Sequence, residues 1–378
     1  MQTYHCRLCR EKHLAKLVEL PNFPKAAQFF LSNDADKLQD FAIKLVVVQC
    51  LSCGLIQLTN DPVHYFKDVI TAASLSEGSK KAIQLEWTLL IDKYNLKYKQ
   101  GIEIGAAKGD FLTVLDDMNV QICGLEHSEN NILNKASKKI LINQGYLLEL
   151  PSDFNSKYDF VICNNFLEHQ PETFIFIEKL RGLLTDNGVL YISVPNVDYL
   201  IKKSCLYEFV ADHLVYFSKK SLENALTYCS MEILELYLKN NGNDLVVIAK
   251  KRQPLDFSVH LNKFYKIVNS IKLFTQDRHK SGKRIAVWGA GHRALALMSI
   301  SNLNEIEYVV DSAEFKQNKL TPLLHKKIVS PADFLILNCD VLIIMLPGNY
   351  AEQVIDFING NKVKCEVVVF NDDVLNLH

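Results

Sequence analysis

The middle of the chain alternates short apolar runs with longer polar stretches, and from Gln100 the alternation becomes regular. Gly101-Ile-Glu-Ile-Gly105, Val120-Gln-Ile-Cys-Gly-Leu-Glu126, Tyr158-Asp-Phe-Val-Ile-Cys-Asn-Asn165 and Gly188-Val-Leu-Tyr-Ile-Ser-Val-Pro195 each read as a buried strand. Thr185-Asp-Asn-Gly188 reads as the turn into the last of them. Strands alternating with helix-length segments predict an α/β fold built on a parallel, doubly wound sheet. Met231 to Leu238 and Asp244 to Lys250 predict a closing strand pair joined by Asn240-Asn-Gly242.

Helical spacing flanks this core on both sides. Between Asp61 and Lys99 the apolar positions Ile83, Leu85, Leu89, Leu90 and Tyr94 predict one helix face. The polar, small-residue stretch from His64 to Ser76 before it reads equally as a lid, a substrate loop or a linker. Leu261, Phe264, Tyr265, Val268 and Ile271 form a second stripe, expected to be interdomain core. A further strand–turn–helix then starts at Arg284-Ile-Ala-Val-Trp-Gly-Ala-Gly-His-Arg-Ala294, and Val341 to Leu346 and Cys365 to Phe370 supply more strands. The resulting division is 1–60, a connector 61–99, an α/β domain 100–252, a linker helix 253–281 and a second α/β domain 282–378.

Composition narrows the class. A chain of 378 residues with 48% hydrophobic and 22% charged residues has ordinary globular make-up. Its net charge of −1, with no long basic run, gives no argument for nucleic acid. The longest apolar runs are far too short to span a bilayer. The opening Met-Gln-Thr-Tyr-His-Cys has neither the charged leader nor the apolar core of a signal peptide, and with ten cysteines this predicts a cytoplasmic protein with reduced thiols.

Candidate chemistry falls at three places. Cys6-Arg-Leu-Cys9 and Cys50-Leu-Ser-Cys53 are paired C-x-x-C knuckles, predicting a four-thiolate Zn²⁺ site, structural because a closed shell leaves no position for substrate. Glu103, Gly105 and Gly109 form E-x-G-x-x-x-G at a strand-to-helix turn, similar to the turn by which class I methyltransferases hold S-adenosylmethionine. Glu126 ends the next strand, where a carboxylate can accept both hydroxyls of a ribose. His169 follows the fourth strand at the carboxyl edge of the sheet, and His213 lies after Pro195 beside Asp212; either imidazole suits a general base. In the last third, Gly289-x-Gly291-x-x-Ala294, with Asp311 ending the following strand, approaches a dinucleotide fingerprint. It reads as an NAD site, a diphosphate-holding helix start at Gly291 with His292 and Arg293, or structure alone.

The two cysteine pairs, the Glu103–Gly109 turn, Gly124-Leu-Glu126, Asn165-Phe-Leu-Glu-His169 and Asp212-His-Leu-Val-Tyr-Phe-Ser218 together resemble the sugar C-methyltransferases that act on nucleotide-linked 4-keto deoxysugars. The resemblance implies a zinc-binding amino-terminal module, an S-adenosylmethionine domain and a Rossmann-like carboxyl-terminal domain that helps form the substrate crevice. It implies that Glu103, Gly105, Ala106, Gly109, Glu126 and Asn164 hold the methyl donor. It also implies that His213, with Asp212 and His169, carries the acid–base work of an enolate mechanism. The chain departs from the pattern at Val210-Ala-Asp-His213, where the family usually has Tyr-His-Glu-His. It also lacks a tyrosine in the stretch Lys67 to Ser74, where a second one is expected. The departures leave room for O- or N-methylation of a related carbohydrate, a nicotinamide-dependent oxidoreductase using the second glycine turn, or a non-catalytic binding protein.

Overall fold

The computed structural model describes residues 4–31, 34–38, 40–68, 75–151, 157–371 and 374–377. The chain divides into two compact units, 1–253 and 254–378. Among the described residues the strands form three sheets. The first begins with three antiparallel strands, β1 (Leu14–Pro24), β2 (Ala42–Cys50) and β3 (Ile56–Leu58).

The second sheet is the core of the first unit. Its parallel strands are β4 (Gln100–Ile104), β5 (Gln121–Glu126), β6 (Leu141–Gln144), β7 (Tyr158–Asn164) and β8 (Leu184–Pro195). The two-residue β9 (Val215–Tyr216) leaves this sheet and pairs with β3 instead, so the amino-terminal sheet is completed by a strand from far along the chain. Next, β10 (Met231–Lys239) and β11 (Asp244–Lys251) add antiparallel to β8, giving the order β10-β11-β8-β7-β4-β5-β6. Strand order reverses around β4, and the crevice outside the carboxyl ends of β4 and β7 is where open α/β sheets bind ligands. The turn expected at Thr185–Gly188 is absorbed into β8, with a register shift against β7.

Helices cover both faces of this sheet, which is why Phe160, Val161, Ile162 and Cys163 form an unbroken buried run. On one face Ile162 and Tyr191 pack with the helix Glu77–Tyr94, capped by the Ser76 side chain and ended by Asn95 in the left-handed region. Its buried stripe is Ile83, Trp87, Leu90 and Ile91; Leu85 and Leu89 are exposed, so the expected face is rotated. Indole size places Trp87 at the centre, against Phe111, Phe160 and Tyr191. On the other face the helices Thr173–Leu183 and Lys219–Tyr228 pack into a core that also takes in Cys6, Cys50 and Cys53.

The second unit carries β12 (Ile285–Trp288), β13 (Ile306–Val310), β14 (Lys327–Val329), β15 (Val341–Ile344), β16 (Glu366–Asn371) and β17 (Val374–Leu377), in the order β14-β13-β12-β15-β16-β17. All neighbours are parallel except β16 and β17. The helix Ser258–Lys280 buries Val268 and Ile271, and Ile271 packs in this unit's own core with Ile285 and Val287. Leu261, Phe264 and Tyr265 are at least a third exposed, so of the expected stripe only Val268 and Ile271 are buried. Among the described residues no helix is long and apolar enough to cross a membrane.

Candidate active site

The glycine turn after β4 is built from three left-handed residues, Gly105 (φ 77°), Ala107 (φ 49°) and Gly109 (φ 77°). The two glycines serve different ends. Gly105 lines a cavity of about 610 Å³ together with Glu103, Ala106, Asp110, Asn164 and Ser193. Gly109 does not; a Cβ there would stand 2.2 Å from Ile140 Cδ1, so its missing side chain admits the neighbouring strand rather than a ligand. Glu126 is 1% exposed, and its carboxylate is turned onto the turn itself, accepting from the Ala107 amide at 2.8 Å and the Ser128 amide at 2.9 Å. It thereby locks the strained Ala107 in place.

Glu103 points from β4 into the first cavity. It is 3% exposed, and its Oε2 has no hydrogen-bond partner among the described residues. Burial, then the negative Glu126 and Asp110, push its carboxyl up to about 8. A buried acceptor with nothing to accept from is what a cationic ligand would fill. Beside it the Ser193 hydroxyl lies 2.5 Å from the Asn164 side-chain oxygen and 3.0 Å from that of Asn165, tying the end of β7 to β8.

A second cavity, about 280 Å³, holds the predicted acid–base residues: His169, Asp212 and His213, with Tyr65, Glu168 and Asp244. Asn165 and Asp244 line both cavities, so the two share a wall. The structure brings His169 and His213 together with ring centroids 4.7 Å apart, edge to face. Asp212, read as a candidate beside His213, turns its carboxylate away from that ring. Its carboxylate accepts from Tyr65 Oη at 2.6 Å and the Ala27 amide at 2.8 Å, while its main-chain carbonyl lies 2.9 Å from His169 Nδ1. A carbonyl can only accept, so Nδ1 of His169 carries the hydrogen and Nε2 holds the lone pair. Burial lowers the pKa of His169, and burial with the neighbouring His169 brings His213 down to about 3. Both rings are therefore neutral near pH 7.

Tyr65 is the residue that reading the sequence missed. It stands two positions before the stretch searched for a tyrosine, and only its hydrogen bond to Asp212, 147 residues away, reveals it. Of that stretch, residues 69–74 lie outside the described residues, and they also form the middle of the segment read as a lid or linker.

The four cysteines of the two knuckles converge. Their sulfur atoms all lie within 4.8 Å of one another, with Cys6 to Cys53 and Cys9 to Cys50 both at 3.5 Å. Tetrahedral thiolates around zinc, at bonds of about 2.3 Å, stand roughly 3.8 Å apart, so the cluster fits the ion. Buried Gln57 clamps the first knuckle, accepting from the Arg7 amide at 2.8 Å and donating to the His5 carbonyl at 3.0 Å. From there the wiring runs to the second cavity. β3 pairs with β9, the Leu58 amide donates to Leu214, and the Leu214 amide donates to the Glu168 carbonyl at 2.8 Å.

In the second unit, Asp311 repeats the arrangement of Glu126. Its carboxylate accepts from the Ala290 amide at 2.8 Å and the Ala313 amide at 2.9 Å, and Lys316 Nζ sits on it at 3.0 Å. The acid that would select a ribose is already engaged by three donors of its own unit, which weighs against the nicotinamide reading.

Residues 79–233 match the methyltransferase domain family, and residues 250–362 match the C-methyltransferase C-terminal domain family. Taken with the glycine turn, these define an S-adenosylmethionine-dependent methyltransferase. The carboxyl-terminal match narrows the likeness to the C-methyltransferases. It is 21% identical over 389 residues to the C-methyltransferase NovU of Streptomyces niveus, covering 93% of this chain and 91% of that protein. It is 26% identical over 117 residues to a ubiquinone biosynthesis O-methyltransferase of Glaesserella parasuis, covering 28% of this chain and 49% of that one. A solved S-adenosylmethionine-dependent methyltransferase from Clostridium acetobutylicum overlays 46% of this chain and 92% of its own, at 12% identity and a TM-score of 0.40. That overlay adds nothing to the strand order described above.

Proposed function

We propose that the protein transfers a methyl group to carbon, beside the 4-keto group of a nucleotide-linked deoxysugar, through an enolate raised by a histidine base. The observation that carries this reading is the shared wall. A cavity with an orphaned carboxylate suited to a cationic donor adjoins one that holds two neutral imidazoles, across Asn165 and Asp244.

Glu103, Gly105, Ala106 and Asn164 are the residues that would hold the donor, which supplies an electrophilic methyl group when bound. Gly109 and Glu126 would act indirectly, by shaping and locking the turn. The nucleoside end would extend past Glu126 toward the cavity bounded by His127, Gly145 and Tyr146. His169 is the better-oriented base, since the Asp212 carbonyl fixes its tautomer, and His213 stands beside it as the second candidate. Tyr65 and Asp212, hydrogen-bonded at the cavity wall, are placed to hold a sugar hydroxyl. The four cysteines would bind one structural Zn²⁺, and that knuckle, through β3 and β9, would hold the loop carrying His213. The second unit, with its occupied Asp311, is assigned a scaffolding part rather than hydride transfer.

Mass spectrometry of the full chain with a 4-keto deoxysugar nucleotide in heavy water tests the reading. Methylated product with the donor present, and deuterium uptake at the α-carbon with it omitted, are expected. Donor binding without uptake or methylation would overturn the C-methylation of a keto sugar.

A further inference from the structure

Glu168 is a buried acid that the mechanism above leaves unused. It sits in the single turn Leu167–His169 after β7, held by its carbonyl's bond to the Leu214 amide, and it lines the second cavity. It is 2% exposed, and its Oε2 has no hydrogen-bond partner among the described residues. The charged group that acts on it is Asp244, a carboxylate like itself. Burial disfavours an isolated carboxylate in such a place, and taking up a proton is the cheaper state. A carboxyl atom of Glu168 and a ring nitrogen from each of His169 and His213 all lie within 4.8 Å of one another.

Resting on the reading above, we infer that Glu168 is a further catalytic residue: a neutral carboxylic acid that donates a hydrogen bond to the acceptor's keto oxygen. A base and an acid this close match what enolisation requires, one group at the α-hydrogen and one at the carbonyl oxygen. The imidazole of His169 takes the α-proton, the C–H pair becomes the carbon–carbon double bond, and the carbonyl π pair moves onto oxygen, where Glu168 O–H meets it. When the α-carbon then bonds to the methyl group, the methyl–sulfur bond breaks with its pair left on sulfur, and the carbonyl reforms. Glu168 keeps its proton throughout, and the imidazolium releases its own to solvent. Burial also raises this carboxyl to about 8, in keeping with the same state.

The same three groups have the composition of a divalent cation site. Metal-bound imidazoles nearly always donate their second N–H to a fixed acceptor. His169 does so to the Asp212 carbonyl, but the His213 ring has no hydrogen-bond partner among the described residues. The acid role is therefore the one the geometry favours.

The test compares wild type, Glu168→Ala and Glu168→Gln for α-deuterium uptake without donor and methylation with it, after each is shown to be folded and to bind donor. Loss of one oxyanion donor should slow both steps in the alanine variant by on the order of a hundredfold or more. Glutamine, whose amide still donates, should recover part of the rate. Infrared difference spectra near pH 7 should show a protonated-carboxyl stretch in wild type that Glu168→Gln lacks. Wild-type uptake in the alanine variant, or no such stretch, would overturn the inference. So would a stoichiometric divalent ion outside the cysteine cluster that Glu168→Gln releases. A wild type that binds donor but neither exchanges nor methylates the keto sugar would instead fail the reading on which the inference rests, and the inference with it.

Discussion

Tyr65 donates its hydroxyl hydrogen to Oδ1 of Asp212 at 2.6 Å, joining two segments 147 residues apart. Asp212 is 2% exposed, so this bond and the Ala27 amide replace water around a buried carboxylate. Tyr65→Phe should therefore cost about 1.5–3 kcal/mol in stability, the worth of a hydrogen bond to a charged acceptor. Urea unfolding measures it, and a change under about 0.5 kcal/mol would mean that Asp212 is satisfied without the phenol.

The cysteine cluster makes a prediction about a distant site. Cys53→Ser should lower bound zinc from one ion per chain and increase amide exchange in β3 and β9 together, because those strands pair with each other. Metal analysis and hydrogen-exchange mass spectrometry read the two effects. Zinc loss with β9 unchanged would disconnect the knuckle from the loop that carries His213.

Glu103 sets a pH dependence whose sign is opposite to that of most carboxylates. Its ordinary value is 4.5 and burial raises it to about 8, so the folded protein binds this proton more tightly than the unfolded chain. The associated stability is complete below pH 4.5 and is lost as the pH rises through 8. Glu103→Gln removes the dependence and should gain relative to wild type by up to about 5 kcal/mol across that window. Unfolding at a series of pH values compares the two directly, and a difference that stays flat would refute it. A cationic donor favours the ionised form, so donor binding near pH 7 should release a proton, read by calorimetry in two buffers.

Gly109→Ala should destabilise by roughly 1–3 kcal/mol, since the new Cβ meets Ile140 Cδ1 and the residue sits in the left-handed region. Adding Ile140→Ala should not restore wild-type stability, because it relieves the contact and leaves the backbone strain. Chemical denaturation of the two variants separates the contributions.

What was legible in the sequence was local. The turn from Glu103 to Gly109, the cysteine pairs and the strand runs are each contained within a few residues, so spacing alone reveals them. Tyr65 and its bond to Asp212 have no local mark, and neither does the departure of Val215–Tyr216 to another sheet. Ile83 to Tyr94 showed a helix, but the buried face turned on Trp87, whose size outweighs the leucines at 85 and 89. Glu126 was placed correctly at the end of a strand. Its engagement by the Ala107 amide depends on a left-handed alanine that no propensity would foretell.

Pairing of β3 with β9 also constrains how such a chain can be recombined. A graft that replaced residues before the Gln100 strand would leave Val215 and Tyr216 without an edge, and the His213 loop would lose its anchor. The amino-terminal knuckles and the histidine loop are thus bound to be inherited as one piece, and the natural seam for shuffling lies later, at Gln253 and Pro254.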